Sequence, residues 1–497
     1  MPPVFRKRIL VIGAGLGGLA AAIRLRLAGC EVNVIERSPR VGGRIGSLEH
    51  EGFRWETGPC LVGLPHVLRD LWERAGGRFE EEIELLPVPV TTRCRWQDGT
   101  TLDEDDDFWR QGEIAPLIRH GKAIYETGGG AFLHRPAEEW RDHFPLGRPA
   151  LWPHLPKLLD PRPLTSLASR LFPRSPHLQQ WLGWHAASLG ASPYRAASNL
   201  AVLPFLRARF GGWFVRGGMA RLGESLAALA RRLGVVIETG LEVTRLQTNA
   251  EAWTVFVREG GSGPSSPRRC DGIICNQDPL EATRRYLDPT FTPERALSPS
   301  AFVIHAAVGR DYPELAHHNV FFSQDFHAEF AQLFSRHEPT DQPTIAVTVT
   351  SRTEASHAPE GCTNWTISVQ APPVHPKFDW VLQSARYAER ILARFVEFGI
   401  DDPRPHIRWM KTITPADWKE SCQNFEGSLS GYAFHGLRAP LARFPAQSSL
   451  PGLVFVGGAT HPGPGLPMAL LSGQIGARAM LLQQGGADIE LARPLPA

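Results

Sequence analysis

The chain contains 497 residues, of which 42% are hydrophobic and 21% are charged. This composition excludes a disordered polymer and predicts one large or two ordinary hydrophobic cores. The formal net charge is only +2 at pH 7, so there is no sustained field to attract a polyanion, and nucleic acid is not expected as a partner. The seven cysteines are scattered and form no C-x-x-C pair, which argues against a disulfide framework and a metal site and favours a reducing cytoplasm.

The N-terminal region predicts a strand, a tight turn, a helix and a second strand. The first strand spans residues 8–12, the turn 13–18, the helix 19–28 and the second strand 31–35. Such a βαβ unit implies a parallel sheet. A basic start followed by apolar residues resembles a secretory signal, but a signal has no use for the spaced glycines of the turn. No stretch of about 18 uninterrupted apolar residues occurs, so we expect any membrane contact to be peripheral.

The turn has the spacing G-x-G-x-x-G through Gly13, Gly15 and Gly18. The first glycine permits the turn, the second lets a pyrophosphate approach backbone N–H groups at the helix N-terminus, and the third packs the helix against the strand. Glu36 follows the second strand, where a carboxylate can accept hydrogen bonds from ribose hydroxyls. Together these features predict a dinucleotide-binding site; the alternative is a packing turn without a ligand.

The next part of the chain predicts a hairpin and then a change of composition. Two β-prone runs within residues 90–102 flank Asp98-Gly99, where glycine accepts the positive φ of a primed turn. We expect the acidic run 103–107 to be a solvated loop. Residues 140–213 are rich in Trp, Phe and Arg, a mixture that fits a water-to-lipid boundary, an apolar substrate tunnel or an ordinary helical core.

The middle of the chain predicts a helix and several strands. Gly217-Gly218-Met219 opens a helix that runs to Leu233, and strands 253–257 and 272–275 are expected to form a hairpin over a disordered tip. A second glycine-rich segment stands near the C-terminus. We therefore expect an α/β fold in which the first and last segments fold together and a second domain is inserted between them.

Two further motifs follow the βαβ unit. Gly42-Gly43-Arg44 comes directly after the second strand, and the stretch G-F-R-W-E-T-G-P occupies residues 52–59. They resemble the FAD-binding half of the flavoprotein superfamily of amine oxidases and carotenoid desaturases, in which an aspartate commonly stands where this chain has Glu56. An arginine in a glycine turn places cationic donors against a diphosphate. The resemblance therefore favours FAD over NAD as the cofactor.

The C-terminal segment 453–473 predicts a strand, a rigid loop and a helix, with the run H-P-G-P-G-L-P-M-A-L-L-S-G at its end. It is similar to the signature of bacterial carotenoid desaturases of the phytoene and hydroxyneurosporene desaturase type, and looks most like that of the carotenoid 3,4-desaturases. Stretches at 217–219, 318–330 and 414–417 match this family in the same order, whereas 427–432 follows it only loosely. The resemblance spans nearly the whole chain.

The resemblance also implies where FAD would be held. The implied cofactor contacts are Gly13, Gly15, Gly18, Glu36, Gly42, Gly43, Arg44, Gly58, the backbone of Val243 at the adenine, Gly457, Gly458, Pro467 and Met468. A helix that begins near Pro467 would point its positive end at the cofactor and favour its reduced, negatively charged form. A metal site at His317 and His318 is not expected, because neighbouring residues of a strand point to opposite faces.

The domains implied by the fold are discontinuous. The Rossmann-like FAD-binding domain with its parallel sheet would comprise residues 1–85, 213–295 and 436–497. The inserted α+β substrate domain, which would also contact the membrane, would comprise 86–212 and 296–435.

The implied reaction removes two hydrogens from adjacent sp³ carbons of a long apolar carotenoid, at the 3,4 position of an acyclic 1-hydroxy or 1-methoxy substrate, with a hydride passing to flavin. A polyene spreads the resulting charge and lowers the demand for acid–base residues; His461 is a weak catalytic candidate, with a loop-bracing role as the alternative. Other functions that the chain could have are phytoene desaturation, amine oxidation and isoprenoid carriage without catalysis. We expect a cytoplasmic protein, peripheral at the inner face of the cell membrane, and the electron acceptor stays open.

Overall fold

A computed structural model of the chain describes residues 7–139, 149–249, 252–260, 263–439, 441 and 443–495. The strands, in chain order, are β1 Arg8–Ile12, β2 Glu31–Glu36, β3 Ser47–His50, β4 Phe53–Glu56, β5 Leu85–Pro87, β6 Arg93–Arg95, β7 Thr101–Asp103, β8 Trp213–Val215, β9 Val236–Thr239, β10 Leu241–Thr248, β11 Trp253–Glu259, β12 Ser266–Cys270, β13 Gly272–Cys275, β14 Ser300–Val308, β15 His318–Phe321, β16 Ile345–Thr348, β17 Thr363–Ala371, β18 Ile407–Ile413 and β19 Leu453–Phe455.

The α-helices, in the same order, are α1 Leu16–Leu27, α2 Pro65–Arg74, α3 Phe79–Glu82, α4 Asp106–Arg110, α5 Ala115–Ile124, α6 Gly130–His134, α7 Leu155–Leu158, α8 Leu164–Leu171, α9 Pro176–Ser188, α10 Val202–Phe210, α11 Ala220–Arg232, α12 Pro279–Tyr286, α13 Phe326–Ala331, α14 Trp380–Ala393, α15 Pro415–Cys422 and α16 Leu466–Gln483. Over the described ranges, none of them has both the length and the hydropathy that a membrane span requires.

A five-stranded parallel sheet joins the two ends of the chain. Its strand order is β19-β13-β1-β2-β9, and each neighbouring pair is parallel. Side chains alternate along β1, so that Ile9 and Val11 pack with α1, α11 and α16, while Leu10 and Ile12 pack with a second sheet. Burial on both faces explains why this strand is a continuous apolar run. The expected α/β class with a Rossmann-like parallel sheet is confirmed.

Helix α1 begins at Leu16 rather than at residue 19, so Gly17 and Gly18 lie in its first turn. Glycine is a poor helix former, but both positions are crowded. A Cβ atom on Gly18 would lie 2.2 Å from the carbonyl oxygen of Gly13, and one on Gly17 would lie 3.1 Å from the backbone nitrogen of Gly457. Close packing therefore requires glycine where local propensity argues against a helix.

A three-stranded antiparallel sheet, β10-β11-β12, covers the other face of the parallel sheet. The hairpin expected between 253–257 and 272–275 is wrong. Strand β11 pairs instead with β12, from Trp253 opposite Cys270 to Val257 opposite Ser266, and β13 lies in the parallel sheet between β1 and β19. The sequence of β12, Ser-Pro-Arg-Arg-Cys, has no apolar run, so hydrophobic patterning could not identify it as a strand.

A second large sheet has seven strands in the order β18-β14-β17-β16-β15-β6-β7. Its long strands β14 and β17 are antiparallel, and α14 packs against the sheet in one shared hydrophobic core. The hairpin predicted around Asp98-Gly99 is β6–β7, where Gly99 has a φ of +86°. This sheet and its helices form the expected α+β region; the domain boundaries given above stay a prediction.

The segment rich in aromatic residues and arginine contributes mainly to a helical core. Phe172, Trp181 and Phe205 are buried, whereas Trp152 is 51% exposed; residues 140–148 lie outside the described residues. The solvated loop expected at 103–107 is wrong: Asp103 ends β7 and Asp106 begins α4. Between them Glu104 is 2% exposed and accepts a hydrogen bond of 2.8 Å from Trp181 Nε1. A partner so far along the chain leaves no trace in the local sequence pattern.

Candidate functional site

A cleft of about 360 Å³ opens at the carboxyl edge of the parallel sheet. It is lined by residues that end or follow four of the strands, namely Gly13 after β1, Glu36 at the end of β2, Asn276 after β13 and Val456 after β19. Strand β1 is the point at which the chain order reverses, since β2 lies on one side of it and β13 on the other. Open parallel sheets bind their ligands at such a point.

The first glycine turn lines this cleft with backbone atoms that carry no side chain. Gly13 has a φ of +97°, and Gly15 is the N-cap residue of α1. A Cβ atom on Gly15 would lie 2.5 Å from Asn276 Nδ2, so a larger residue would have to displace the Asn276 amide. The free N–H groups of the first turn of α1, and the positive end of its dipole, therefore lie at the cleft, as in sites that bind a pyrophosphate.

Glu36 lines the cleft on the β2 side. Its Oε2 accepts the backbone N–H of Ala14 and its Oε1 accepts that of Ser38, each at 2.7 Å. Burial raises the pKa of this carboxyl in spite of the two hydrogen bonds. Each carboxylate oxygen keeps a second lone pair, so Glu36 can still accept hydrogen bonds from the hydroxyls of a ribose.

The second glycine turn, residues 42–44, is held against the first. The backbone N–H of Gly42 donates to the carbonyl oxygen of Ala14 at 2.8 Å. The Arg44 side chain donates to the carbonyl oxygen of Leu429 at 2.5 Å and to Asn424 Oδ1 at 3.0 Å. Arg44 thus ties the turn to the segment after α15, a contact that its sequence motif does not indicate.

The C-terminal loop closes the cleft between β19 and α16. Gly457 and Gly458 line it, and Gly457 has a φ of +117°. Helix α16 begins at Leu466, close to the predicted start, and Leu466 also lines the cleft. The positive end of this helix therefore lies at the cleft and favours negative charge there.

The predicted cofactor residues divide into two groups. Those that line the cleft are Gly13, Gly15, Glu36, Gly42, Gly43, Arg44, Val243, Gly457 and Gly458. Those that are not among the lining residues are Gly18, Gly58, Pro467 and Met468. Gly58 packs against the arginine turn, where a Cβ atom would lie 2.3 Å from the Arg44 carbonyl oxygen.

His461 lies outside the lining of the cleft. Its side chain is 2% exposed, its Nε2 lies 2.7 Å from the carbonyl oxygen of Arg135, and its ring meets the Phe132 ring edge to face with centroids 4.6 Å apart. These contacts favour the loop-bracing role that the sequence left open.

His317 and His318 are each engaged through Nδ1 with a threonine hydroxyl, at 2.7 Å to Thr353 and 2.8 Å to Thr348 respectively. Within the described ranges no group of three His, Cys, Asp or Glu side chains is placed to hold a metal ion.

The residues of one wall of the cleft were not predicted from the sequence. It consists of Asn276, Gln277 and Asp278 after β13, and of residues 421–424 at the end of α15. The run Asn-Gln-Asp directly after a buried strand was an available signal, because polar residues in that position meet the ligand of a parallel sheet. Because β13 was predicted to form a hairpin with β11, the residues that follow it were not expected at the ligand-binding edge of the parallel sheet. Residues 421–424 carry no comparable signal.

These features fit a dinucleotide cofactor. The cradle of Gly15, Gly43 and Gly457 leaves no space for side chains, since a Cβ atom at any of the three would lie 3.0 Å or less from a neighbouring atom. The N-terminus of α1 supplies positive potential for phosphates, and Glu36 supplies acceptors for ribose hydroxyls. The residues expected to bind the phosphates and the adenosine therefore lie around one cleft.

Comparison with known proteins identifies the family. The model of the flavin-containing amine oxidoreductases matches residues 16–481. The 4,4'-diapolycopene oxygenase of a Methylomonas species is 31% identical over 94% of this chain and 97% of its own. The zeta-carotene-forming phytoene desaturase of Myxococcus xanthus is 29% identical over 94% and 93%, and the 1-hydroxycarotenoid 3,4-desaturase of Flavobacterium sp. (strain P99-3) is 27% identical over 95% and 98%.

Solved structures share the fold. Putrescine oxidase bound to putrescine has a TM-score of 0.63 at 17% identity and covers 97% of this chain and 100% of its own. An oxidoreductase from Methanosarcina mazei has a TM-score of 0.59 at 18% identity, with coverage of 94% and 98%. The resemblance found in the sequence motifs is confirmed: the chain belongs to the family of flavin-containing amine oxidoreductases, and its cofactor is FAD.

Proposed function

We propose that this protein is a carotenoid desaturase that introduces a C–C double bond at the 3,4 position of an acyclic 1-hydroxy or 1-methoxy carotenoid. The observation that carries the proposal is similarity over 94–95% of the chain to three relatives named as carotenoid enzymes. One of these is a 1-hydroxycarotenoid 3,4-desaturase, and the loop 461–468 resembles the signature of that type. The likeness to putrescine oxidase concerns the fold alone and favours no amine substrate.

The cleft offers different surroundings at its two sides. Polar groups of Glu36, Arg37 and Ser38 stand at the end of β2, whereas Val456, Ala459 and Leu466 form an apolar surface beside the C-terminal loop. The polar side suits phosphates and ribose, and the apolar side suits a less polar group. Proximity alone then contributes much of the rate, since positioning two reactants replaces a bimolecular encounter.

Bound FAD would supply the two-electron acceptor for a hydride from the substrate. The protein contributes the positive end of α16 at the cleft, which would favour negative charge on the reduced cofactor. The conjugated chain of the substrate disperses the positive charge left behind, so the protein need not provide a strong base. The double bond is completed when the adjacent carbon loses a proton to a base or to water.

A second candidate is oxygenation of a terminal carbon of a carotenoid. It is favoured by one observation, the 31% identity to a 4,4'-diapolycopene oxygenase, which exceeds the 27% identity to the 3,4-desaturase. Both reactions begin with oxidation of an apolar polyene and could use the same cleft.

Pigment analysis in two bacterial hosts tests the proposal. One host accumulates 1-hydroxylated acyclic carotenoids and the other accumulates phytoene. Each host expresses either the wild-type chain or the Gly15→Val variant. The valine side chain would collide with Asn276, and we expect it to block the cofactor site. We expect a red-shifted pigment two hydrogens lighter only in the first host, and only with the wild-type chain.

The other outcomes separate the alternatives. A coloured product from phytoene would replace the proposal by phytoene desaturation. A product that gains oxygen would favour the second candidate, and unchanged pigments in both hosts would contradict both desaturase functions.

The proposal includes a location in the cytoplasm with peripheral contact at the inner face of the cell membrane. It is supported by Trp152 and Leu159, which are 51% and 44% exposed and flank Lys157 in the sequence, because aromatic, aliphatic and cationic side chains suit the lipid boundary. Fractionation of the same cells should recover the chain with membranes at low salt and release it at high salt. Recovery in the soluble fraction at low salt would contradict this location.

A further inference from the structure

The cleft wall formed by Gln277, Asp278 and residues 421–424 is polar and lies outside every motif by which the family resemblance was identified. Two of its side chains, Asp278 and Asn424, are buried, with exposures of 8% and 2%. Each of them also has one polar atom without a hydrogen-bond partner in the part of the chain that the structure describes. Buried polar atoms are rarely left without a partner, so each such atom requires an explanation.

The amide of Asn424 has a defined orientation. Its Oδ1 accepts a hydrogen bond of 3.0 Å from Arg44 Nη2, and a guanidinium can only donate. The group that remains is therefore the Nδ2 donor, which has no acceptor among the described residues. A ligand that satisfies it must present an acceptor oxygen or nitrogen.

Asp278 presents the opposite polarity. Its Oδ1 caps α12 by accepting the backbone N–H groups of Leu280 and Glu281 at 2.9 and 3.3 Å. Its Oδ2 is the atom that has no donor among the described residues. A ligand that satisfies the ionised carboxylate must present a hydroxyl or an N–H group.

We propose that Asn424 and Asp278 are FAD ligands, with Asn424 Nδ2 donating to an acceptor oxygen of the cofactor and Asp278 Oδ2 accepting from one of its hydroxyls. The ribityl and diphosphate portions of FAD carry both kinds of group, whereas an acyclic carotenoid offers at most a terminal oxygen. Arg44 holds the Asn424 amide in place and so acts as a positioning residue. The assignment rests on the cofactor and is independent of which substrate is oxidised.

The proposal has a structural consequence. Asn424 follows α15 in the predicted substrate domain, whereas Gly13, Gly15 and Glu36 belong to the first βαβ unit. The cofactor would therefore be held between both parts of the chain, and loss of FAD should loosen the contact between them.

The isosteric variant Asn424→Asp tests the donor. It keeps an acceptor for Arg44, so the fold of the apoprotein should be unaffected or slightly more stable. It also turns the free donor into a charged acceptor, and we expect FAD to bind at least about tenfold more weakly, as for loss of a hydrogen bond to a charged group. Quenching of flavin fluorescence on titration into the apoprotein measures the affinity, and thermal unfolding of the apoprotein measures the fold.

The variant Asp278→Asn tests the acceptor independently. Asparagine caps a helix as well as aspartate does, so α12 keeps its cap while the free oxygen becomes a donor. We expect FAD affinity to fall by about fivefold, which is roughly the value of one hydrogen bond, with no loss of thermal stability in the apoprotein.

Asn319→Asp is the matched control. Asn319 is also buried, but its Oδ1 accepts from Ala316 and its Nδ2 donates to Ala316 and Val347 within the protein, away from the cleft. This variant should lower the thermal stability of the apoprotein and leave FAD affinity unchanged below the unfolding temperature.

The outcomes are distinguishable. Reduced FAD affinity with an intact apoprotein for both cleft variants supports the assignment. A change of about twofold or less in FAD affinity is smaller than the loss of one hydrogen bond would cause. Such a result for either variant would show that the residue is not a ligand of the cofactor. A loss of FAD affinity that merely follows the loss of apoprotein stability, as in the control, assigns the residue a structural role and overturns the proposal.

Discussion

Glu56, the last residue of β4, connects two distant parts of the chain. Its side chain is 1% exposed, and its Oε2 accepts the backbone N–H of Met219 at 3.1 Å. Met219 immediately precedes α11, so the carboxylate satisfies one of the N–H groups that a helix start leaves without a partner. Burial raises the pKa of Glu56 to about 7, although Arg54 and the Met219 N–H act in the opposite direction.

We expect Glu56→Gln to alter the pH dependence of stability. The pKa of Glu56 in the folded chain lies above its ordinary value of 4.5, so its contribution to stability is complete below about pH 4.5 and is lost as the pH rises through about 7. Glutamine does not titrate, and the variant should gain up to about 3 kcal/mol relative to wild type across this range. Urea unfolding at about pH 5 and about pH 8 measures the difference; an equal difference at both values would contradict the buried carboxylate.

At the scale of residues, the sequence motifs predicted positions of the cleft that require glycine because a side chain would be crowded there. Gly15 was identified because a dinucleotide turn needs glycine, and Gly457 because the C-terminal segment resembles a family signature; both line the cleft. The partners of Arg44 could not be predicted, because Asn424 and Leu429 lie more than 370 residues further along the chain and no local pattern records such a contact.

The crossing of α1 and α16 decides how the two ends of the chain meet. A Cβ atom on Gly473 of α16 would lie 2.4 Å from the carbonyl oxygen of Gly17 and 2.9 Å from Ala20 Cβ. Alanine favours a helix by about 1 kcal/mol over glycine, but overpacking of a tight contact costs about 1–3 kcal/mol. The close contact with backbone should place the cost near the upper end of that range.

We therefore expect Gly473→Ala to lower the free energy of unfolding by about 1–2 kcal/mol and to weaken FAD binding, because Gly17 lines the cleft. Gly112→Ala is the control, since no atom lies within 4 Å of a Cβ atom placed there. Urea unfolding and flavin fluorescence measure both effects. A Gly473→Ala protein as stable as the Gly112→Ala protein would show that the helices do not pack this closely.

At the scale of elements, the first βαβ unit and the strand, loop and helix at the C-terminus were predicted because each is recorded in a short contiguous pattern. The pairing of β11 was predicted wrongly, since strand partners are chosen by tertiary packing. The start of α1 was also misplaced, because the glycines of its first turn are kept for close packing rather than for helix propensity.

At the scale of the molecule, the glycine turns at both ends predicted that the ends fold together. Strands β1 and β19 now lie in one sheet with only β13 between them, and the turns that follow them line one cleft. The polar wall from β13 and α15 was missed, since it combines segments that only the complete fold brings together.

The central claim is that this cleft holds one FAD that oxidises a carotenoid rather than an amine. Anaerobic titration of the purified holoprotein, followed by flavin absorption, tests it with a 1-hydroxylated acyclic carotenoid and, in parallel, with a primary amine. The account predicts that the carotenoid bleaches the flavin and acquires a longer conjugated system while the amine has no effect. Bleaching by the amine alone, or a purified protein that contains no FAD and takes up none, would contradict it.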